Sequence, residues 1–297
     1  MNVLSLFDGM SCGQLALERV GITPTNYYAC EIKEHAMKVT QENFPCTQQL
    51  GDVNFVSKWT FGCNKIDLLI GGSPCQDFSG ANKNREGING QKSSLFWEFV
   101  RLKRDLRPKY FFLENVRMTK DNQKLVSDAL GVQPIVINSK DVSGQLRHRL
   151  YWTNIPFDHP EEKTINLQEC LDHGYTDREK SRCLLESDSR PSATPVKMFH
   201  RYYSTGFTTL IFKDKQHYLD CKADYDAKYT GKKASEIDVE NVSDIYDGVR
   251  YLNQNELERL QTVPIGYTQS LTRNQSACLL GDGWTVDVIA QFFINLK

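Results

Sequence analysis

Short apolar runs rich in β-branched and aromatic residues alternate with helical patterns through the first half of the chain. That alternation restricts the fold more than any other feature. Val3–Phe7, Tyr27–Glu31, Ile66–Ile70 and Tyr110–Val116 read as strands, with two more in PIVINSK and HRLYWTN. Between them, Gln14–Val20, Glu34–Asn43 and a polar segment through Leu130 carry helical spacing. So does SSLFWEFVRLKRDL, with Ser93 or Ser94 as its cap. Strands separated by helices pair in parallel, and a continuously apolar parallel strand must be covered on both faces. The expectation is an α/β fold, a mainly parallel sheet with helices on both faces.

After about Pro156 the rhythm fails. Residues 157–248 are polar and aromatic, with a basic patch (Lys228, Lys232, Lys233) and an acidic run (Glu236, Asp238, Glu240, Asp244, Asp247). From Arg250, RYLNQNELERLQTVP reads as a helix stopped by Pro264, and Val286–Leu296 reads as a last helix. The expected organisation is one α/β domain made of 1–156 and 249–297, interrupted by a separate segment, 157–248. With 297 residues, 40% hydrophobic and 25% charged, the chain can bury a substantial core. No apolar run approaches the roughly 20 residues that span a bilayer. MNVLSLFDG has neither a basic region nor a small-residue cleavage site, so a strand is expected there rather than a leader. The nine cysteines are odd in number and include no C-x-x-C pair, which favours reduced thiols in an intracellular protein over a metal site or disulfides. A net charge of −1 leaves any phosphate contact to local basic clusters.

Ligands of open α/β sheets sit beyond the carboxyl ends of the strands. The first strand runs into FDGMSCG, where Gly9 and Gly13 allow backbone to approach a ligand closely. The string is neither G-x-G-x-x-G nor a Walker loop, which argues against dinucleotides and triphosphates. Glu31 ends the second strand, where a carboxylate accepts hydrogen bonds from ribose hydroxyls, and Asp52 can accept from an adenine amino group. A turn or cap role suits each acid alone; strand ends in succession favour a nucleoside cofactor. The next strand enters GGSPCQDFSG. There Cys75 is either packing or a nucleophile activated at a strand-end turn, with Pro74 fixing its approach. Glu114 ends YFFLENV, as a solvated strand end or as a paired or protonated carboxyl. Arg147 and Arg149 alternate onto one face of a strand, to bind a carbonyl oxygen or a carboxylate, or to line an exposed edge.

A nucleophilic thiol, a carboxyl and arginines at neighbouring strand ends suit addition to an electrophilic ring. In this arrangement the chain resembles the DNA (cytosine-5)-methyltransferase family. The matching blocks, in order, are FDGMSCG, GGSPCQDFS, ENV, the Q-x-R-x-R set Gln145, Arg147 and Arg149, the R-x-L-x-x-x-E set Arg250, Leu252 and Glu256, and LLGDGWTVDVI. The first is closest to the variant of the animal de novo enzymes. Two departures stand out: Cys12 where most members have a second glycine, and Asp282 in GDG where a glycine-asparagine pair is usual.

The resemblance implies a class I S-adenosylmethionine-dependent methyltransferase fold, Rossmann-like, with 157–248 as a small target-recognition domain. It implies S-adenosylmethionine as cofactor and S-adenosylhomocysteine as product, held by Phe7, Asp8, Gly9, Gly13, Glu31, Ile32, Asp52, Val53, Pro74, Leu95, Trp284 and Val286. It implies that Cys75 attacks C6 of a flipped-out cytosine, Glu114 holds the N3 and N4 edge and protonates N3, Arg149 binds O2, and Arg147 supports the pocket. Double-stranded DNA is the implied partner, bound by a monomer through Gln76, Ser79, Lys83, Arg85, Lys92, Lys228, Lys232 and Lys233 at a short target. The implied place is the cytoplasm of a prokaryotic or phage-infected host, or the nucleus if the host is eukaryotic. Two rival readings are a tRNA cytosine-5 methyltransferase and a catalytically silent DNA-binding relative. The tRNA branch carries a Cys-Phe-Thr tripeptide, whereas GFTTL (206–210) lacks the cysteine, and Cys75, Glu114 and the glycine turn argue against silence.

Overall fold

Strand β1 (Asn2–Leu6), buried from Val3 onward, pairs in parallel with β2 (Asn26–Cys30) on one side. The computed structural model describes residues 1–73, 94–159, 163–185, 194–206, 208–237 and 244–296. Beyond β2 lies the short β3 (Gln48–Gln49); on the other side of β1 lies β4 (Leu68–Gly71), also parallel. β5 (Tyr110–Val116) continues the parallel pairing from β4. β6 (Ile135–Asn138) and β7 (His148–Thr153) complete a seven-stranded sheet of order β3-β2-β1-β4-β5-β7-β6 among the described residues. β7 runs antiparallel to both neighbours, so the mainly parallel sheet read from the sequence carries one reversed strand.

The connections are helical, as the alternation requires: α1 (Cys12–Arg19) after β1, α2 (Glu34–Asn43) after β2, α3 (Ser94–Leu106) before β5 and α4 (Lys120–Leu130) after it. Right-handed crossovers that leave β1 and β4 in opposite directions put their helices on opposite faces of the sheet. Leu4, Leu69, Leu113 and Trp152 from the strands pack with Phe96, Phe99 and Leu102 of α3 in one apolar cluster. α4 starts on a Thr119 cap and stops at Gly131, whose φ of +78° is left-handed and suits glycine.

A second compact unit comprises the described residues within 140–147 and 162–282; the first holds those within 1–139, 148–161 and 283–297. The second unit contains α5 (Pro195–Thr205), β8 (Leu210–Ile211), α6 (Lys215–Lys228), β9 (Arg250–Tyr251), α7 (Gln254–Leu260) and α8 (Arg273–Asp282). Its core is aromatic: Phe199, Tyr202, Phe212, Tyr225 and Tyr246 pack with Val196 and Cys221. One helix was expected from Arg250 to Pro264, and the structure corrects this. Arg250 and Tyr251 pair with β8 instead, and Asn253 caps a shorter helix whose capping box includes Glu256. That helix ends at Leu260, and Thr262 is left-handed at φ +55°. Glu256 is fully buried and receives both Arg250 nitrogens at 2.8 Å, plus the Asn253 and Asp172 amides. The R-x-L-x-x-x-E block therefore acts as a clamp inside this unit.

The last helix, α9 (Val286–Phe293), returns to the first unit and lays Phe292 and Phe293 against Phe112 of β5, with ring centroids 5.0 and 5.5 Å away. Tyr151 and Trp284 complete the set around Phe112, which is fully buried. Truncating a residue so enclosed leaves a cavity as well as losing transfer energy. Phe112→Ala should therefore cost about 3–5 kcal/mol. Urea unfolding of the two proteins measures this, and a loss below about 1 kcal/mol would show that α9 does not depend on that ring.

Candidate active site

The order of the sheet reverses between β1 and β4, which leaves a crevice beyond their carboxyl ends. β1 ends in a turn in which Phe7, Gly9 and Ser11 are all left-handed, at φ +57°, +60° and +59°. Only Gly9 adopts that conformation without steric cost. The turn is tied down on both sides. The Gly9 amide donates to Glu31 Oε2 at 2.8 Å, and Glu31 Oε1 accepts from the amides of Ile32 and Lys33 at 2.7 and 2.9 Å. Asp8 accepts at Oδ1 from the Tyr27 hydroxyl at 2.7 Å and at Oδ2 from the Ser11 hydroxyl. A Cβ on Gly9 would meet nothing within 4 Å, so this side of the turn is open to a ligand. Gly13 differs: a Cβ there would lie 2.3 Å from Ile70 Cδ1 and 3.2 Å from the Tyr27 hydroxyl. Its lack of a side chain lets α1 close against the sheet.

β4 ends at Gly71, and Gly71 and the following Gly72 are packed too closely to admit a side chain without a shift. A Cβ on Gly72 would stand 2.8 Å from Trp284 Nε1 and 3.3 Å from Glu114 Oε2. Glu114 and Trp284 thus come together around this glycine. Glu114 is buried, with 8% of its surface exposed, and its Oε1 lies 2.8 Å from Arg149 Nε. The register that pairs Val116 with Arg149 brings the start of β7 to the end of β5. Asn115 donates through Nδ2 to Ser73 Oγ at 2.9 Å and to the Ser73 carbonyl at 3.3 Å, which fixes the end of β4. Only the ENV string signalled Asn115; nothing in the sequence signalled Tyr27, Ser11 or the closeness of Gly72 to Glu114.

Pro74, Cys75, Gln76, Ser79, Lys83, Arg85 and Lys92 lie outside the described residues. Of the other expected cofactor residues, Ile32 is 70% exposed beside Glu31, whereas Val53 and Val286 are buried. Phe7 and Leu95 are half-buried against the sheet cluster. Asp52 caps a short helical turn, accepting from the Asn54 amide at 2.9 Å. The structure corrects the shared strand face of the two arginines: β7 starts at His148, with Arg149 in the first unit and Arg147 in the second. Arg147 is 3% exposed and donates to the carbonyls of Leu184 and Gly281 at 3.3 and 3.2 Å. Gln145, also buried, donates to the Leu260 carbonyl at 2.6 Å. Of the Q-x-R-x-R block, Arg149 pairs with Glu114. In the second unit Lys228 pairs with Asp224 at 2.5 Å, Lys232 lies over the Tyr229 ring, and the Lys233 amide donates to Glu236. Among the described residues no cluster of three or more His, Cys, Asp or Glu could hold a metal, and no helix is long and apolar enough to cross a membrane.

The surroundings of Asp8 push its carboxyl up to about 6: burial is the main cause, opposed by hydrogen bonds from Ser11, Ser5 and Tyr27 and reinforced by the Glu31 charge. The native carboxyl therefore holds its proton where the unfolded chain has lost it. That contribution to stability is complete below about pH 4 and is lost as pH rises through about 6. Urea unfolding from pH 4 to 7 should show wild type losing stability relative to Asp8→Asn across this window. A pH-independent difference would mean that Asp8 titrates as an ordinary aspartate.

The profile of the C-5 cytosine-specific DNA methylase family matches residues 1–297. Type II methyltransferase M.FnuDI of Fusobacterium nucleatum is 34% identical over 218 residues, covering 66% of this chain and 58% of the relative. Orphan methyltransferase M.Rho11sI of Bacillus phage rho11s is 25% identical over 269 residues, covering 86% of this chain and 53% of that protein. The chain thus spans little more than half the length of these curated relatives. Among solved structures, Spodoptera frugiperda DNMT2 superposes with a TM-score of 0.72 at 18% identity, covering 100% of this chain and 99% of that one. The fold is the class I S-adenosylmethionine-dependent methyltransferase fold, with the sheet order reversing between β1 and β4. By its sequence over its whole length, the chain belongs to the C-5 cytosine-specific DNA methylase family.

Proposed function

We propose that this chain methylates C5 of cytosine in duplex DNA, acting as a monomer on a base flipped out of the stack, in a bacterial or phage-infected cytoplasm. The observation that carries the reading is the Glu114–Arg149 pair, gathered with Gly72 and Trp284 at the end of β4. A buried carboxyl beside a half-buried guanidinium presents both acceptor and donor atoms to the polar edge of a ring. Glu114 would hold the N3 and N4 edge of cytosine and set a proton at N3, and Arg149 would donate to O2. With negative charge kept off the ring, the Cys75 thiolate would add to C6 and leave C5 nucleophilic; after C5 takes the methyl group, loss of the C5 proton with elimination across C5–C6 would release Cys75 as the thiolate. Asn115 supports this by fixing Ser73, two residues before Cys75. Arg147 would act through the second unit, where its contacts lie.

The residues of the β1 turn fit S-adenosylmethionine. Gly9 is open on one side, Glu31 offers a carboxylate for the ribose diol, and Ile32 offers an exposed apolar face for a purine. Phe7, Asp8, Gly13, Asp52, Val53, Pro74, Leu95, Trp284 and Val286 would complete or support the site. When bound, the cofactor supplies an electrophilic methyl group and leaves as S-adenosylhomocysteine. Residues 157–248 would read the target, with Lys228, Lys232 and Lys233 meeting phosphates. Gln76, Ser79, Lys83, Arg85 and Lys92 would contact DNA near the flipped base.

Methyl transfer to unmodified duplex DNA, with 5-methylcytosine mapped at base resolution and tRNA as a parallel substrate, tests the reading. Wild type should mark one short sequence. Cys75→Ser should lose turnover by more than about a thousandfold while still binding DNA. Transfer to tRNA alone, or activity retained by Cys75→Ser, would overturn it.

A further inference from the structure

Beneath the β1 turn runs a chain of hydroxyls that the reaction does not use. Thr40 of α2 is fully buried, and its Oγ1 stands 3.1 Å from Ser11 Oγ and 3.3 Å from the Gly9 carbonyl. Ser11, also fully buried, donates to Asp8, and Tyr27 of β2 donates to the other Asp8 oxygen at 2.7 Å. One hydroxyl carries one proton, so the directions are fixed when Asp8 is ionised: Thr40 donates to Ser11, Ser11 to Asp8, and Tyr27 to Asp8. Every oxygen along this path has a partner, which is the condition under which a buried polar network rigidifies rather than destabilises.

The turn above needs such support. Phe7 and Ser11 hold left-handed backbone without being glycine, which is sterically unfavourable for a residue with a Cβ. Strained backbone persists only where its surroundings over-determine it. The hydroxyl chain joins the turn to α2 and β2 at two places, Asp8 and Ser11, and Glu31 accepts from the Gly9 amide.

We propose that Tyr27, Ser11 and Thr40 are positioning residues for the methyl donor: their hydroxyl chain holds the Phe7–Ser11 turn in its bound conformation before the donor arrives. A turn already ordered loses less entropy on binding. The inference rests on the reading of this turn as the S-adenosylmethionine site. The three side chains would not touch the donor; they act through Asp8 and the backbone of the turn that carries it.

The test is calorimetric binding of S-adenosylhomocysteine to purified wild type, Tyr27→Phe, Thr40→Val and Thr40→Ser, with thermal unfolding of each and steady-state kinetics on DNA. Loss of one net hydrogen bond should weaken binding roughly three- to tenfold. Tyr27→Phe and Thr40→Val should raise the donor KM by that factor with kcat nearly unchanged, and Thr40→Ser should restore wild-type affinity. If Tyr27→Phe does not fold, the two Thr40 variants decide the matter alone. Equal affinity in Thr40→Val and Thr40→Ser, or a fall in kcat with KM unchanged, would overturn the proposal. Failure of wild type to bind S-adenosylhomocysteine would instead overturn the cofactor reading itself, and this proposal with it.

Discussion

Between β1 and β4 the chain changes the direction in which it winds across the sheet. Right-handed crossovers then carry the two sets of helices to opposite faces and leave the strand ends between them uncovered. The groups that bear chemistry gather there because a parallel sheet puts its carboxyl ends on one edge. The β1 turn, Glu31 after β2, Gly72 after β4 and Glu114 at the end of β5 share that edge. Antiparallel β7, the one strand of the seven that runs against the rest, adds a guanidinium to this edge. Running against β5, it begins where β5 ends and brings Arg149 to Glu114.

Close packing makes this edge dependent on glycine for reasons that differ from one position to the next. Gly9 is needed for its positive φ and its open side, and Gly13 and Gly72 for space. The space at Gly72 is filled by Trp284 and Glu114, so a residue of the cofactor block and the candidate proton donor share one contact. The ion pair between Glu114 and Arg149 is the most exacting part of this edge. Removing one partner of a buried pair strands a charge, at a cost of about 3–5 kcal/mol. A pair kept despite that liability is better explained by what it can bind than by the stability it adds.

The alternation of strands and helices and the placing of Glu31 and Glu114 at or beside strand ends were legible in the sequence, because periodicity and motif order are local signals. Three kinds of fact were not. Strand direction was hidden: HRLYWT reads the same in either orientation, so the reversal of β7 and the separation of Arg147 from Arg149 depend on tertiary pairing. The contacts that residues of the signature blocks make within the fold were hidden too. Gln145, Arg147, Arg250 and Glu256 belong to signature blocks, yet in this fold they hold buried carbonyls, amides and each other. The second unit was also obscure, since α6 (KQHYLDCKADYDAK) mixes polar and apolar residues without a clear stripe and its core is built from tyrosines, whose hydroxyls mask the apolar period.

The central claim is that Cys75 forms a bond to a cytosine held by Glu114 and Arg149. Incubating the protein with S-adenosylmethionine and duplex DNA containing 5-fluorocytosine tests it most directly, because the fluorine blocks the elimination that would release the enzyme. Mass spectrometry of the digested product should find one DNA-linked peptide, carrying the base on Cys75, with a methyl group already at C5. DNA binding without any covalent product, or an adduct on a different cysteine, would contradict the account.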